Sequence, residues 1–322
     1  YLELARKGLG IQTTVTATRK ASEEKLLDLC LQRLDSMLLH GTTTAEAKSG
    51  YGLNLQDEMK QLRVLRKANA LHPVDIVPTF MGAHSVPPEY RGNTADYIRL
   101  LQEEILPEVT REKLAEFFDV FCEEGVFSVE ESRTLLRAAK RAGLKVRVHA
   151  DEFAPLGGAE LAVEEGAASA DHLIAITEEG VRKLAQSSTA AVLLPGVSFF
   201  LMEEKKAPAR RLIEEGAIVA LATDFNPGSS MTESMLFILQ LGVYTLKMRV
   251  EEAIHAATTN ASYALSRHTQ VGSLEPGKKM DLLLCDVSSY VGLVYHLGIN
   301  PIVHVIKNGR VVVRDGKPLK SE

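Results

Sequence analysis

The feature that most constrains the fold is a repeated alternation of short apolar segments with longer helical ones. Seven apolar segments recur along the first two thirds of the chain, at 42–49, 74–84, 117–125, 145–152, 168–173, 189–196 and 217–225. Apolar runs of this kind are typical of strands buried on both faces, as in parallel sheets covered by helices. A unit of about 30 residues that repeats in this way predicts either a doubly wound sheet or an eightfold barrel.

Polar side chains at the ends of these segments favour the barrel. They are Glu46, Lys48, His84, Glu123, Glu124, His149, Glu152, Asp171, His172 and Asp224. A barrel gathers the carboxyl ends of its strands around one mouth, whereas an open sheet spreads them along a line. We therefore predict an α/β fold, a (β/α)8 TIM-like barrel, over residues 1–265. Seven strands are one short of closure, so we expect the first strand to be missing from this chain.

The end of the chain follows a different pattern. Residues 266–322 alternate apolar and polar positions between turn residues, and Asn308-Gly309 is a strong signal for a tight β-hairpin. We predict a small antiparallel unit that begins at residue 266.

Charge and cysteine content exclude several classes of protein. Thirty-seven basic and 42 acidic residues give a net charge of −5, whereas nucleic-acid-binding domains are usually basic. Cys30, Cys122 and Cys285 are far apart and form no Cys-x-x-Cys pair, which indicates a reducing compartment. No apolar run approaches the ~20 residues of a membrane span. We expect a cytoplasmic protein that binds neither nucleic acid nor membrane.

Two histidines and an aspartate at strand ends indicate a metal site. His149 and His172 end neighbouring strands, and Asp224 ends a later one. A lone histidine on a strand is more often structural, but imidazole and carboxylate together are preferred ligands of Zn²⁺ and iron. We predict that His149 and Asp224 ligate one ion per subunit, whereas His172 either ligates or orients a water molecule.

Glu152 lies three residues after His149 and suits the transfer of a proton. By itself it could equally be a solvated loop carboxylate. Near a metal-activated water it can act as general base and then as general acid, carrying a proton from water to a leaving nitrogen. We interpret the neighbouring Asp151 as structural.

Two loops supply candidate substrate contacts. "KSGYGLN" contains Tyr51 between two glycines, and "MGAH" places His84 at a strand end. "LATDFNPGSS" supplies Asn226, Gly228 and Ser229. The last segment also encodes a simple turn before a helix, and a turn at a barrel mouth can bind a carboxylate through its N–H groups.

The motifs "TTTAEAKSGYGL", "TFMGAH", "HADE", "SADHL" and "LATDFNPGSS", in this order and spacing, resemble the imidazolonepropionases of the amidohydrolase superfamily. The resemblance covers essentially the whole sequence, and "GSLEPGKKMDLLL" is similar to the return of these chains into a small β-sandwich beside the barrel. It implies a hydrolase with one Zn²⁺ or iron ion that opens the ring of 4-imidazolone-5-propanoate to N-formimino-L-glutamate in histidine degradation. It also implies a small-molecule substrate as the partner, and a homodimer is expected.

The resemblance also implies roles for individual residues. The metal ligands fall on His149 and Asp224, the acid/base residue on Glu152, and the histidine beside the metal on His172. Substrate contacts fall on Tyr51, His84, Glu152, Asn226, Gly228 and Ser229. The first barrel strand of the family carries a His-x-His pair and, shortly after, a substrate-binding arginine, whereas this sequence contains no His-x-His. We expect an N-terminal segment to be absent from this sequence; the alternative is an incomplete site.

Other functions stay open on the sequence. The chain could be another amidohydrolase that acts on a different small ring, or a barrel that only binds a ligand. Lys48 near a strand end could form a Schiff base, as in aldolases. A panel of cyclic substrates, metal analysis and borohydride trapping would distinguish these functions.

Overall fold

The structure, a computed structural model, describes residues 11–319, in which seven parallel strands form one curled sheet. The strands pair in chain order, from β1 with β2 to β6 with β7. Their bounds are β1 Thr44–Lys48, β2 Asp75–Ala83, β3 Phe117–Cys122, β4 Lys145–Ala150, β5 Ser169–His172, β6 Ala190–Leu193 and β7 Val219–Leu221. Each strand lies inside one of the seven predicted segments, so that prediction is confirmed.

Helices connect consecutive strands and pack against the sheet. Their bounds are α1 Gln12–Lys20, α2 Glu23–Leu39, α3 Leu55–Leu71, α4 Thr94–Leu100, α5 Leu106–Arg111, α6 Val129–Arg141, α7 Gly158–Glu164, α8 Glu178–Ala185, α9 Pro195–Phe200, α10 Ala209–Glu214, α11 Met235–Tyr244, α12 Val250–Ala257, α13 Thr259–Ala264 and α14 Gly292–Tyr295. A π-helical turn, Leu101–Ile105, joins α4 to α5, and a 3₁₀ turn spans Pro88–Tyr90. In the described part of the chain, no helix combines the length and apolarity needed to cross a membrane.

Helix α6 shows how local sequence sets these bounds. The Ser128 hydroxyl accepts the N–H of Glu131, and the Glu131 carboxylate accepts the N–H of Ser128, which forms a capping box. One face of the helix is buried against the sheet through Leu135, Leu136 and Ala139. A helix fixed at its start and buried along one face holds the neighbouring strands β3 and β4 in place.

The barrel is open between β1 and β7. Within residues 11–319 neither strand has a second neighbour in the sheet. Residues of both strands line one cavity of about 1150 Å³. The predicted TIM-like barrel is therefore confirmed, with seven of its strands present in the described chain.

A second sheet contains four antiparallel strands in the described residues, in the order β11-β10-β9-β8. Their bounds are β8 Leu282–Cys285, β9 Ile302–Lys307, β10 Arg310–Arg314 and β11 Lys317–Pro318. The hairpin between β9 and β10 turns at Asn308 and Gly309, whose φ values of 51° and 78° are those of the predicted tight turn. The predicted antiparallel unit is thus present, while its division from the barrel at residue 266 stays a prediction.

Candidate metal centre and active site

The carboxyl ends of the strands bring the predicted site residues to one end of the cavity. His149 lies in β4, His172 ends β5, Asp224 follows β7, and Glu152 lies in the loop after β4. All four line the same cavity, and the charge of His149 acts on both Glu152 and Asp224. The structure therefore gathers residues that are up to 75 positions apart in the chain, from His149 to Asp224.

His149 is held by a carboxylate that the sequence analysis did not identify. Its Nδ1 lies 3.1 Å from Oδ1 of Asp119, a completely buried residue of β3. Burial disfavours the imidazolium, but the Asp119 carboxylate outweighs it and raises the pKa of His149 to about 9. Asp119 thus makes the imidazole more basic and engages its Nδ1, which leaves Nε2 as the nitrogen that can bind a cation in place of its proton. The available sequence signal was an aspartate inside an apolar strand, "FFDVFC".

Lys48 lies among three carboxylates. Its Nζ is 2.7 Å from Asp119 Oδ2, 3.0 Å from Glu46 Oε1 and 3.5 Å from Asp171 Oδ2. Burial opposes the ammonium charge, but Asp119, Glu46 and Asp171 together raise the pKa of Lys48. A lysine held protonated is not a nucleophile, because Schiff-base formation needs the free amine. The geometry therefore contradicts the aldolase-like alternative.

Asp119, His149 and Asp171 each offer a ligand atom within 4.8 Å of the others. Both oxygens of Asp119 are already engaged, one by Lys48 and one by His149. Asp171 Oδ1 accepts a hydrogen bond of 2.6 Å from Ser169 Oγ. We therefore interpret Asp119 as the outer carboxylate that orients His149, the usual partner of a metal-binding imidazole, and not as a ligand itself.

Asp224 and Glu152 are carboxyl groups without a lysine or arginine partner. Burial raises the pKa of Asp224 to about 6, although the charge of His149 opposes this. Burial raises the pKa of Glu152 well above its usual range, and the charge of Asp224 adds to the effect. Within residues 11–319, no lysine or arginine lies within 4.0 Å of either carboxylate. Two such carboxylates beside His149 form a donor set that suits a divalent cation.

His172 stands between His149 and Glu152. Its ring centroid is 5.1 Å from that of His149, and its Nδ1 lies 3.5 Å from Glu152 Oε1. Burial, followed by the charge of His149, lowers the pKa of His172 well below its usual range, so the ring is neutral. In the described part of the chain, Nδ1 is buried and has no hydrogen-bond partner. An unpartnered buried polar atom that faces a catalytic cavity is available to a ligand.

Three residues near the mouth have backbone conformations that side chains other than glycine rarely adopt. The φ values are 51° at Asp151, 77° at His172 and 46° at Asp224. Backbone strain of this kind persists where the surrounding structure enforces it, often at functional sites. Asp151 itself accepts the N–H groups that open α7, from Gly157 to Ala159, at 2.9–3.0 Å. These bonds fit the structural role predicted for it.

The turn after β7 is held together by Asn226. Its side-chain oxygen accepts the N–H groups of Gly228 and Ser229 at 2.9 and 2.8 Å, and its Nδ2 donates to Asp224 Oδ2 at 3.1 Å. These are the N–H groups that were expected to bind a substrate carboxylate, and in this structure Asn226 occupies them. Asn226, Gly228 and Ser229 nevertheless line the cavity, and their contact with substrate stays a prediction.

Tyr51 and His84 face each other at the mouth, with ring centroids 5.2 Å apart and ring planes at 87°. His84 Nδ1 lies 3.0 Å from the carbonyl oxygen of Gly50, which can only accept, so Nδ1 carries the proton and Nε2 is an acceptor. Burial, followed by the charge of His149, lowers the pKa of His84 to about 4. The structure brings both residues to the predicted cavity, while their contact with substrate stays a prediction.

Comparisons with known proteins agree with this geometry. The pattern of the amidohydrolase family matches residues 19–317. The imidazolonepropionase of Geobacillus kaustophilus is 53% identical over 317 residues, which is 98% of this chain and 74% of that protein. The imidazolonepropionase of Treponema denticola is 49% identical over 317 residues, which is 98% of this chain and 77% of that protein.

Solved structures show the same fold at much lower identity. A variant of atrazine chlorohydrolase from Arthrobacter aurescens, complexed with zinc and atraton, matches 100% of this chain and 79% of its own, with a TM-score of 0.78 and 14% identity. A zinc-bound adenosine deaminase from Xanthomonas campestris matches 96% of this chain and 74% of its own, with a TM-score of 0.72 and 16% identity. From its sequence identity and its fold, the chain belongs to the imidazolonepropionase family of the amidohydrolases.

Proposed function

We propose that this chain hydrolyses 4-imidazolone-5-propanoate to N-formimino-L-glutamate, a ring opening in histidine degradation. Identity of about half to the imidazolonepropionases over 98% of the chain supports this proposal. The observation that carries it is the cavity in which Glu152 lies 3.5 Å from His172 and within the field of His149 and Asp224. Such a set can activate water and move a proton.

For the cofactor, we propose that His149 Nε2 and Asp224 contribute ligands to one zinc or iron ion. The residues fit a cation, because Asp119 engages Nδ1 of His149 and leaves Nε2 to coordinate, and because Asp224 has no lysine or arginine within 4.0 Å among residues 11–319. When bound, the ion would supply Lewis acidity, which polarises a carbonyl and lowers the pKa of water. A catalytic zinc usually has three protein ligands, so these two residues account for part of its shell.

Glu152 carries the proton in this mechanism. Its carboxylate takes a proton from the attacking water while the water oxygen bonds to the ring carbonyl carbon. The proton then passes to the ring nitrogen as the C–N bond breaks, which leaves the glutamate ionised again. Burial raises the pKa of Glu152, and a more basic carboxylate takes a proton from water more readily.

The other residues stabilise charge and orient the substrate. Neutral His172 donates its N–H to the oxygen that becomes negative as water adds. Tyr51 and Ser229 offer hydroxyl groups to the propanoate arm, and His84 Nε2 accepts from the ring. Asn226 contributes by holding the turn next to Asp224. Contacts to the arm fix the ring before the chemical step, which lowers the entropic part of the barrier.

The test measures turnover by the zinc-loaded chain on a panel of small cyclic amides and amidines. We expect formiminoglutamate to form from imidazolone propanoate faster than any other ring is opened, and we expect chelation to abolish the reaction and zinc to restore it. Faster opening of another ring would contradict the proposal and assign the chain to a different amidohydrolase activity. Zinc binding without turnover on any ring would instead support a protein that only binds ligand.

A further inference from the structure

Glu58 of α3 is a completely buried carboxylate that faces backbone groups and not a cation. Its Oε1 accepts the N–H groups of Gly52 and Leu53 at 2.8 and 2.9 Å, and its two oxygens share the N–H of Gly50 at 3.1–3.2 Å. Within residues 11–319, no lysine, arginine or histidine lies within 4.0 Å of it. Glu58 is thus the point to which the segment 49–53, the tyrosine loop, is attached.

The tyrosine loop is bent tightly around this carboxylate. Gly50 has a φ of 109° and Leu53 a φ of 55°, both in the left-handed region. A Cβ at Gly50 would lie 2.9 Å from the carbonyl oxygen of Met81, and a Cβ at Gly52 would lie 2.5 Å from the backbone of α3. Both glycines are therefore needed for the loop to approach its neighbours this closely.

A short path of hydrogen bonds leads from Glu58 to the cavity. Gly50 donates its N–H to Glu58 and accepts the Nδ1–H of His84 at its carbonyl oxygen, at 3.0 Å. Tyr51 follows directly and packs edge-on against the His84 ring. Tyr51 and His84 line the cavity, whereas Glu58 lies behind them. The carboxylate therefore reaches the cavity through these two side chains, and it also accepts from Nε2 of Gln61, another lining residue, at 3.4 Å.

We propose that Glu58 is a positioning residue that fixes Tyr51 and His84 and so sets the affinity for the ring and arm of the substrate. The inference rests on the proposed function for the identity of that substrate. Glutamine at this position would keep the shape of the side chain, but its amide has a single acceptor oxygen. With that oxygen in the place of Oε1, the amide N–H donors would lie where Oε2 now accepts the N–H of Gly50, the residue that holds His84. Glu58→Gln should therefore displace the loop without emptying any volume.

Affinity is measured with imidazolepropanoate, which has the ring and the arm but lacks the ring carbonyl and so is not hydrolysed. We expect Glu58→Gln to weaken its binding to the zinc-loaded chain about tenfold in calorimetry, the effect of one or two buried N–H groups without an acceptor. For the substrate, KM should rise by a similar factor while kcat changes less than threefold. Unchanged affinity and KM in a folded Glu58→Gln protein would overturn the inference.

Asp57→Asn is the matched control. Asp57 precedes Glu58 on the same turn of α3, but its carboxylate bonds to the side chains of Asn54 and Lys60 and to no N–H group of the tyrosine loop. A variant that only weakens this turn should lower the Tm without changing the affinity for imidazolepropanoate. If Glu58→Gln behaves in the same way, its role is structural and the proposal fails. Glu58→Asp keeps the charge and serves as the second variant if Glu58→Gln does not fold.

A double-mutant cycle tests whether Glu58 acts through Tyr51. In a Tyr51→Phe background, Glu58→Gln should cost less affinity than it does in the wild type. Additive losses would contradict the proposal that Glu58 acts through Tyr51. Nitrogen chemical shifts of His84 give a readout that needs no ligand. We expect the Nδ1–H tautomer in the wild type and a mixture of tautomers in Glu58→Gln, and an unchanged tautomer would count against the proposal.

These measurements separate this inference from the proposed function. A wild type that binds imidazolepropanoate but does not open the imidazolone ring would refute the proposed reaction, while the affinities still decide the role of Glu58. Normal turnover in the wild type with unchanged KM in the variants would refute the role of Glu58 alone. If the wild type does not bind imidazolepropanoate, the tautomer of His84 in the wild type and in Glu58→Gln decides the role of Glu58.

Discussion

Two clusters of buried charge lie at opposite ends of the parallel strands, and they differ in how completely the charge is paired. The base cluster joins the barrel to the small sheet. Its Lys307, 3% exposed, lies 2.6 Å from Asp281 and 2.8 Å from Asp75. Lys279 adds a second cation at 2.9 Å from Asp75. Each carboxylate of the base cluster therefore has an ammonium partner.

The mouth cluster contains carboxylates without such partners. Lys48 pairs with Asp119, but Glu152 and Asp224 have no lysine or arginine within 4.0 Å among the described residues. Their pKa values are raised by burial, whereas that of Asp75 at the base is lowered. The paired charges of the base cluster hold the barrel to the small sheet. The carboxyl groups of the mouth cluster, which lack such partners, are available to a cation and a proton. The same residue types thus serve structure at one end and chemistry at the other.

The largest effect is expected at the mouth, from Glu152→Gln. The amide cannot accept the proton of water, so kcat should fall by about 10²–10⁴-fold. Zinc content, measured by elemental analysis, should stay at the wild-type level because Glu152 is not a proposed ligand. Glu164→Gln, on the exposed end of α7, is the control and should keep full activity. Retained turnover in Glu152→Gln would remove the proton carrier from the mechanism.

At the base, Lys307→Met should affect stability and not catalysis. It leaves the buried Asp281 without its cation, and removal of one partner from a buried pair costs about 3–5 kcal/mol. Denaturant unfolding should show this loss, with kcat of the folded protein unchanged. Lys183→Met breaks a far more exposed pair with Glu164 and should cost less than about 1 kcal/mol. Equal losses of unfolding free energy in the two variants would show that the buried pair of the base cluster contributes no more to stability than the exposed pair.

The next effect concerns the residue that links Lys48 to His149. Asp119→Asn should weaken zinc binding about 10–100-fold, because an outer carboxylate fixes and polarises the imidazole ligand. A competition titration against a chelating dye measures this without turnover. Asp171→Asn should change zinc affinity less, because Asp171 is bonded to Ser169 and lies farther from Lys48. The opposite order would make Asp171 the more direct contributor.

The smallest effect is the acid sensitivity of the base cluster. Burial disfavours ionisation of Asp75, but hydrogen bonds from Lys279 and Lys307 outweigh it and lower the pKa of Asp75. A lowered pKa in the folded state contributes stability above the unfolded pKa of about 3.9, and this contribution is lost as the pH falls through the folded pKa. Between about pH 5 and pH 3, the wild type should therefore lose stability more steeply than Asp75→Asn. Parallel curves would contradict the lowered pKa.

The sequence predicted those parts of the molecule that follow from local pattern. Most of the seven barrel strands were found because they are apolar, and Asn308-Gly309 marked the hairpin because both residues tolerate positive φ. His149 and Asp224 were found because polar side chains at strand ends meet at one mouth. Each of these features belongs to a single segment, and a barrel always brings the carboxyl ends of its strands to the same mouth.

The sequence did not reveal interactions that depend on pairing across the fold. Asp119 sits inside an apolar strand, and its partner Lys48 is 71 residues away. Glu58 has the pattern of a solvated helix residue until the tyrosine loop folds over it. The N–H groups after Asn226 were expected to be open to substrate, but a side chain three residues or fewer away satisfies them. Buried hydrogen bonding of this kind is a property of tertiary structure.

The most direct test of the central claim is anomalous diffraction from zinc-loaded crystals of the protein. We predict one zinc peak in the cavity, about 2.0–2.2 Å from both His149 Nε2 and a carboxylate oxygen of Asp224, with Asp119 still bonded to His149 Nδ1. A zinc ion bound instead between Asp119 and Asp171, or one that does not touch Asp224, would contradict the account.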